Sequence, residues 1–393
     1  MNRSAPNAIS SDDINAVDLF LSAALRDDTT VPSLAHPDLV PERALYHGVS
    51  ALLASLSNVM DALLPQAQAL LRQQAIAETM WELRHRQILV PLLRDFESAK
   101  IKVVLLKGTA LAYSIYNSPA ERPRGDTDML VHEAQIPAAR AVLARHGFRR
   151  TVEHDVDRMP QEEWTFGDTD YGLHCIDLHW KLLNSWALSS LFDTVSVLKC
   201  AVDLPLLGPG ARMPAPGTAL LHACVHRAQH VSAPYFVGAE MTYGGNRLIW
   251  FVDMDLLCRS LNPEQWQAFL NDAIRTGTAG ISLEALQECQ RRLGTPVPTQ
   301  VLKLLNMAGG DTLAERYLIR GSFLKRLWTN MRSLPKEESR IAFLREILLP
   351  SERIMRQAYP ELAGHSLKKL HLHRYCERIR RLRKERKQRP KSS

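Results

Sequence analysis

A chain of 393 residues, 46% hydrophobic and 23% charged, can bury a sizeable core and divide into two domains, or one domain with a long helical extension. No apolar run approaches the roughly 20 residues that cross a bilayer, residues 1–13 lack the basic and apolar regions of a secretory leader, and Cys175, Cys200, Cys224, Cys258, Cys289 and Cys376 form no CxxC pair. Composition therefore points away from membrane, disulfide-rich and cysteine-zinc proteins, toward reduced thiols and a cytoplasmic location. The net charge of +7 is uneven: residues 368–391 carry twelve Lys or Arg against Glu377 and Glu385, so a tail of +10 follows a body of −3. Such a block reads first as a solvated terminal helix and second as a contact for RNA phosphates or another anionic surface.

Residues 1–43 hold Pro6, Pro32, Pro37 and Pro41 around one apolar stretch, 16–25, which predicts an irregular lead with one helix. Over 44–99, Leu70, Leu71, Met80, Leu83, Leu89, Leu92, Leu93 and Phe96 recur at helical spacing, and Pro91 is expected to kink or break the run. The texture then changes. Residues 101–106 read as a short buried strand, 108–116 as a helix, and 117–125, with two prolines and a glycine, as a loop. A strand is expected at 128–131, an amphipathic helix at 136–146 closed by Gly147, and further strands at 148–152 and 173–178. Helical patterns return at 218–230, 247–261, 263–275, 281–293 and 313–327, behind a Pro/Gly-rich connection at 208–217. The expected fold class is α+β: the lead over 1–43, a helical segment over 44–100, a small mixed-sheet core over 101–185, a larger helical region over 186–365 and the basic tail over 366–393.

Three short runs carry the chemistry: Leu106-Lys107-Gly108-Thr109, Asp126-Thr127-Asp128 and Ile176-Asp177-Leu178-His179-Trp180. Asp126 and Asp128, two apart on a strand, share a face, where two carboxylates repel unless a cation lies between them. Asp177 stands among apolar neighbours, where an unpaired carboxylate is costly, so it is expected to bind metal or take a proton from an acceptor. Gly108 follows a strand and opens a helix, an arrangement in which backbone N–H groups approach a phosphate; Thr109 either adds a hydroxyl there or caps the helix. Lys107, Arg122 and Arg124 are cations at hand for phosphate oxygens, the arginines alternatively pairing with Glu121 or the aspartates. His179 orients Asp177, touches phosphate or sits satisfied in the core. His222, His226 and His230 share one helix face, a spacing that can bind zinc, but the stronger reading is that His222 and His226 line the cleft between the halves or pack inside it. Asp253, in an apolar helix, is expected to pair with Arg247 or His226, and the Tyr243-Gly244-Gly245-Asn246 turn to be a lip over the site or a connector. A phosphate turn with three carboxylates meets the needs of nucleotidyl transfer: a held triphosphate, and divalent ions that neutralise the entering and leaving oxygens.

The same residues carry a family resemblance. Val104-Leu105-Leu106-Lys107-Gly108-Thr109-Ala110-Leu111, the run from Arg122 through Asp126 and Asp128 to Val131, and Asp177-Leu178-His179-Trp180 resemble the uncharacterised nucleotidyltransferase family of the DNA-polymerase-β-like nucleotidyltransferase superfamily. That superfamily's pattern is a Gly-Ser or similar turn, an Asp-x-Asp pair and a third carboxylate on a neighbouring strand. Gly108-Thr109, Asp126 with Asp128, and Asp177 match in that order, and Leu220-Leu221-His222-Ala223-Cys224-Val225-His226 and the run from Leu248 to Leu256 are similar to the family's helical half. Thr109 stands where serine is usual, keeping the hydroxyl, and Lys107 before the glycine fits this family but not most of the superfamily. The resemblance implies a polymerase-β-like core and an enzyme in which Asp126, Asp128 and Asp177 hold Mg2+ (or Mn2+), while Lys107, Gly108, Thr109, Arg122 and Arg124 bind the nucleoside triphosphate and His179 and His226 support them. The acceptor stays open among a sugar phosphate, a small molecule, a protein and RNA. The alternative is a catalytically silent protein of the same fold that senses nucleotide, or binds RNA or an anionic surface through its tail.

Overall fold

The computed structural model describes residues 10–26, 34–151, 159–167, 172–231, 235–237, 240–242, 246–319, 321, 323–334, 337–362 and 364–388. Strands β1 (Val104–Leu105), β2 (Asp126–Leu130), β3 (Arg149–Arg150), β4 (Gln161–Phe166) and β5 (His174–His179) form one mixed sheet in the order β1-β2-β5-β4-β3. β2 and β5 run parallel at its centre, and the other neighbours are antiparallel. The parallel register sets Asp126 opposite Cys175, Asp128 opposite Asp177 and Leu130 opposite His179. Because side chains alternate along a strand, this register puts Asp126, Asp128, Asp177 and His179 on one face. Met129, Leu130 and Leu178 anchor the same two strands in the core.

The sequence reading omits β4, whose Gln161-Glu162-Glu163 start looks solvated. Glu162 is nevertheless buried, because Arg140 and Arg150 reach it at 2.8 and 2.9 Å and the Trp164 indole N–H donates to it at 3.0 Å. Paired in this way, a charge tolerates an interior position.

Helices α1 (Ser11–Leu25), α2 (Val40–His47), α3 (Ser50–Ala54), α4 (Ser57–Asp61) and α5 (Pro65–Ser98) precede the sheet. A capping box opens α1: Ser10 Oγ accepts from the Asp13 N–H and the Asp13 carboxylate accepts from the Ser10 N–H. α5 does not break at Pro91. Pro91 and Gln87 both face solvent, so water can satisfy the carbonyl that proline leaves unbonded, while Leu89, Leu92, Leu93 and Phe96 hold the helix to the core. Leu70, Met80 and Leu83 on the same helix are exposed rather than in the core.

Between strands lie α6 (Lys107–Ala112) and α7 (Ile136–Arg145), the latter followed by Gly147 at φ +82, a left-handed conformation that glycine takes without strain. Beyond the sheet come α8 (Thr194–Lys199), the ladder of β6 (Val202–Asp203) with β7 (Arg212–Met213), α9 (Pro216–Val231), the ladder of β8 (Tyr235–Val237) with β9 (Glu240–Thr242), α10 (Leu248–Ser260), α11 (Pro263–Arg275), α12 (Ala279–Leu293) and α13 (Thr299–Ala308). The helix expected over 313–327 is two, α14 (Leu313–Leu318) and α15 (Phe323–Arg332), with Gly321, a poor helix former, between them. α16 (Glu337–Leu348), α17 (Glu352–Ala358) and α18 (Leu367–Gln388) complete the order. α9 is the hub of the later helices: Leu220, Leu221, Cys224 and Val225 are fully buried, and α10, α11 and α12 pack around it. One apolar cluster joins residues from Val17 to Leu318; Trp186, Met331, Leu334, Phe343 and Ile347 form a second, smaller one. The fold is α+β, and among the described residues no helix is long and apolar enough to cross a membrane.

Candidate functional site

The β2–β5 register explains how carboxylates from separate runs meet. Asp128 and Asp177 are opposite one another, and His179 lies one pleat further along β5. His179 Nε2 donates to Asp128 Oδ1 at 2.9 Å, and Lys107 Nζ donates to the same oxygen at 2.6 Å. Gln161 of β4 donates to Asp177 Oδ2 at 2.9 Å and so orients it. One ligand atom from each of Asp128, Asp177 and His179 lies within 4.8 Å of the others, and no second group of this kind is found among the described residues. Asp126 stands at the solvent end of the same face.

The cluster carries more negative charge than it neutralises. Three carboxylates face one ammonium, and burial keeps His179 below its ordinary pKa despite its bond to Asp128. Desolvation first, and then the Asp128 and Asp126 charges, push Asp177 up to about 8; desolvation followed by the Asp128 charge pushes Asp126 up to about 6. Asp128 moves the other way. Burial opposes its charge, but Lys107 and His179 hold it well below the usual carboxylate range. His179 Nδ1 is buried without a hydrogen-bond partner among the described residues. Hard carboxylate oxygens, one imidazole and surplus negative charge make a donor set that fits a divalent cation.

Lys107 reaches Asp128 from a strained position. Its φ of +48 lies in the left-handed region that a lysine rarely takes, at the turn from β1 into α6. The rest of that turn differs from the expected phosphate cradle. A Cβ on Gly108 would come within 3.3 Å of the Arg122 guanidinium, so the glycine makes room for arginine. Thr109 is buried and does not cap α6. Its hydroxyl bonds that of Thr127 at 3.0 Å and accepts from Arg124 Nε at 3.0 Å.

The two arginines are each paired with a protein carboxylate. Arg124 pairs with Glu82 at 2.5 Å, and the Tyr113 hydroxyl also donates to Glu82. Arg122 grips Asp253 of α10 with two parallel bonds of 2.7 Å, and the Tyr116 hydroxyl donates to Asp253 at 2.7 Å. The expected partners, Glu121 and the site aspartates for the arginines, Arg247 or His226 for Asp253, are not the ones found. Arg122 and Asp253 lie 131 positions apart, beyond the reach of any local pattern.

Behind Thr127 is a group that the sequence reading misses. Thr127 Oγ1 bonds His85 Nε2 at 2.9 Å, His85 Nδ1 meets His174 Nδ1 at 3.3 Å, and the Trp81 ring stacks on His85 with centroids 4.6 Å apart. Burial and then nearby arginine charges lower both imidazoles' pKa values, His174 to about 4. The chain thus pins the residue between Asp126 and Asp128 from behind. A signal existed: Glu82 and His85 continue the buried stripe of Leu89, Leu92 and Phe96 on α5.

His222 and His226 of α9 wall a cavity together with Trp250 and Asp253 of α10, Lys107 and Arg122. The His226 and His230 rings touch edge to face at 4.4 Å. Burial is the first cause that lowers all three imidazoles, His222 to about 3 and His230 to about 4. Tyr243, Gly244 and Gly245 lie outside the described residues.

The family model described as uncharacterised nucleotidyltransferase matches residues 35–294, a span that holds the whole sheet, the carboxylate cluster and the histidine-walled cavity. No curated protein matches the chain.

Proposed function

The chain belongs to the uncharacterised nucleotidyltransferase family, and from that premise we propose a metal-dependent enzyme that moves a nucleoside monophosphate from a nucleoside triphosphate to a hydroxyl or phosphate acceptor. The observation that carries this reading is the convergence of Asp128, Asp177 and His179 within 4.8 Å, with Asp126 alongside and too little positive charge to balance them. Asp126, Asp128 and Asp177 would hold Mg2+ or Mn2+, which when bound neutralises charge at the entering and leaving oxygens. His179 fixes the Asp128 carboxylate, and Gln161 fixes that of Asp177. Lys107, already turned onto the cluster, is the side chain that meets the triphosphate. Arg122 and Arg124 serve the turn from behind, one packed under Gly108 and the other bonded to Thr109. The acceptor oxygen bonds to the α-phosphorus as the bond from that phosphorus to the bridging oxygen breaks. Pyrophosphate leaves, and ionised Asp177 takes the acceptor's proton.

We further read the sheet with its flanking helices as a polymerase-β-like core over 101–185, between the helical segments 44–100 and 186–365, in a protein of the cytoplasm. Incubation with each α-labelled triphosphate, Mg2+ or Mn2+ and a cell extract tests the activity. Label should move to an acceptor as pyrophosphate appears. Label that never leaves the triphosphate, while nucleotide still binds, would refute turnover and favour a silent nucleotide sensor.

A further inference from the structure

We propose that the C-terminal helices seat the protein on an anionic lipid surface, to which α16 and α18 present apolar side chains set among cations. The proposal stands apart from the catalytic reading, and the residues it uses lie beyond the matched span of 35–294.

Both helices are apolar on two sides. α16 turns Phe343 and Ile347 into the smaller apolar cluster, yet Ile341, Leu344 and Leu348, on its opposite side, are exposed, Ile341 to 74%. α18 repeats the pattern: Leu370 is fully buried and Arg374 nearly so, whereas Leu372 and Ile379, on the opposite side, are exposed to 64% and 49%. The two helices are neighbours, because Arg374 donates to the Ile347 carbonyl at 2.8 Å and the Tyr375 hydroxyl donates to that of Leu348. A helix that is apolar all round is normally buried all round, so these outer stripes call for a second apolar medium.

Charge identifies that medium. Residues 313–391 carry 22 Lys or Arg against 8 Glu, a net +14, while residues 1–312 hold the remaining −7. Lys368 and Lys369 are exposed about one turn before Leu372, and exposed Arg345 and Arg380 adjoin Leu344 and Ile379. An aliphatic stripe bordered by Lys and Arg is the make-up of a helix that lies in the bilayer interface, where acyl chains take the apolar face and anionic headgroups the basic border. The acidic body is repelled by the same surface and so faces away from it. A second copy would bring +14 against +14, and an RNA strand offers phosphates but no apolar medium for Leu372 and Ile379. Just past β5, Ser185 Oγ and the Ala187 N–H donate to Asn330 of α15 at 2.7 and 3.0 Å, and Trp186 enters the smaller cluster, so docking here brings the sheet to the surface as well.

The test is co-sedimentation of the full chain with vesicles of equimolar phosphatidylglycerol and phosphatidylcholine, against vesicles of phosphatidylcholine alone. The chain should pellet with the first and not the second, and added salt should release it. Leu372→Asp with Ile379→Asp, both at exposed positions, should weaken binding about tenfold or more, by removing apolar burial and adding like charge; if that variant fails to fold, the lipid and salt comparisons on the wild type decide. Equal pelleting with both vesicles, or with neither, would overturn the proposal. So would polyuridylate binding that is tighter than vesicle binding and indifferent to the double substitution, which would assign the surface to RNA. A dimer in solution that the double substitution dissolves would overturn it in favour of a second copy.

Discussion

Asp253 and Asp128 are both buried carboxylates bonded to a cation, yet their surroundings differ in kind. Asp253 is closed: a bidentate arginine and a tyrosine hydroxyl supply three donors to one carboxylate. Asp128 shares one lysine and one histidine with two further carboxylates, Asp126 and Asp177, whose pKa values climb to about 6 and about 8 through burial first and neighbouring carboxylate charge second. Burial alone does not separate a structural charge from a chemical one; the balance of charge around it does. The first centre ties α10 to the loop before β2, and the second has a donor set that fits a divalent cation.

The comparison breaks most sharply under alanine substitution. Asp128→Ala should lower nucleotidyl transfer by about a thousandfold or more, with the fold intact by circular dichroism. Arg122→Ala should instead cost about 3–5 kcal/mol of stability, because it leaves Asp253 buried and unpaired. Urea unfolding of the two variants distinguishes them, and an Asp128→Ala protein that unfolds as readily as Arg122→Ala would erase the difference.

Proton uptake sharpens the same contrast. In the folded metal-free chain Asp126 and Asp177 keep their protons to about pH 6 and about pH 8, whereas unfolded aspartates lose theirs near pH 4. Their contribution to stability should therefore fall as pH rises from about 4 to about 8. Asp128 acts in the opposite direction, and only below about pH 4. Mn2+ binding expels the same protons, so the rise in Tm that it causes should grow from pH 5 to pH 8 and vanish in Asp177→Ala. A metal-induced rise independent of pH would place the ion elsewhere.

Smaller effects follow at the periphery. Lys107→Met should raise the KM for the triphosphate by about tenfold, as the loss of one charged contact does. The double substitution Lys368→Gln and Lys369→Gln should leave transfer to small acceptors unchanged. If the tail contacts RNA, the same pair should lower the slope of log affinity against log salt by about 1.4–1.8.

The sheet was partly legible because Met129 to Val131 after Asp128, and Ile176 and Leu178 around Asp177, are apolar residues that sit inside. β4 was not, since its opening glutamates look solvated until Arg140 and Arg150 are folded onto them. In the site, Asp177 announces itself as a costly charge in an apolar run, and strand periodicity sets Asp126 and Asp128 on one face, but only the β2–β5 register brings the three together. The fates of Arg122, Arg124 and Thr109 could not be read in this way. Their partners Asp253, Glu82 and Thr127 come from other elements, and only the packed fold brings them near. His85 stood in between: an apolar stripe on α5 that carries a histidine and a glutamate marks an interior polar contact but not its partner.

The most direct trial of the central claim is a Mn2+ titration followed by electron paramagnetic resonance at pH 8, on the full chain with and without ATP. Binding should be tight, strengthened by ATP and lost in Asp128→Ala and Asp177→Ala, but retained in a folded variant with Lys368→Gln. Equal Mn2+ affinity in the wild type and both aspartate variants would contradict it.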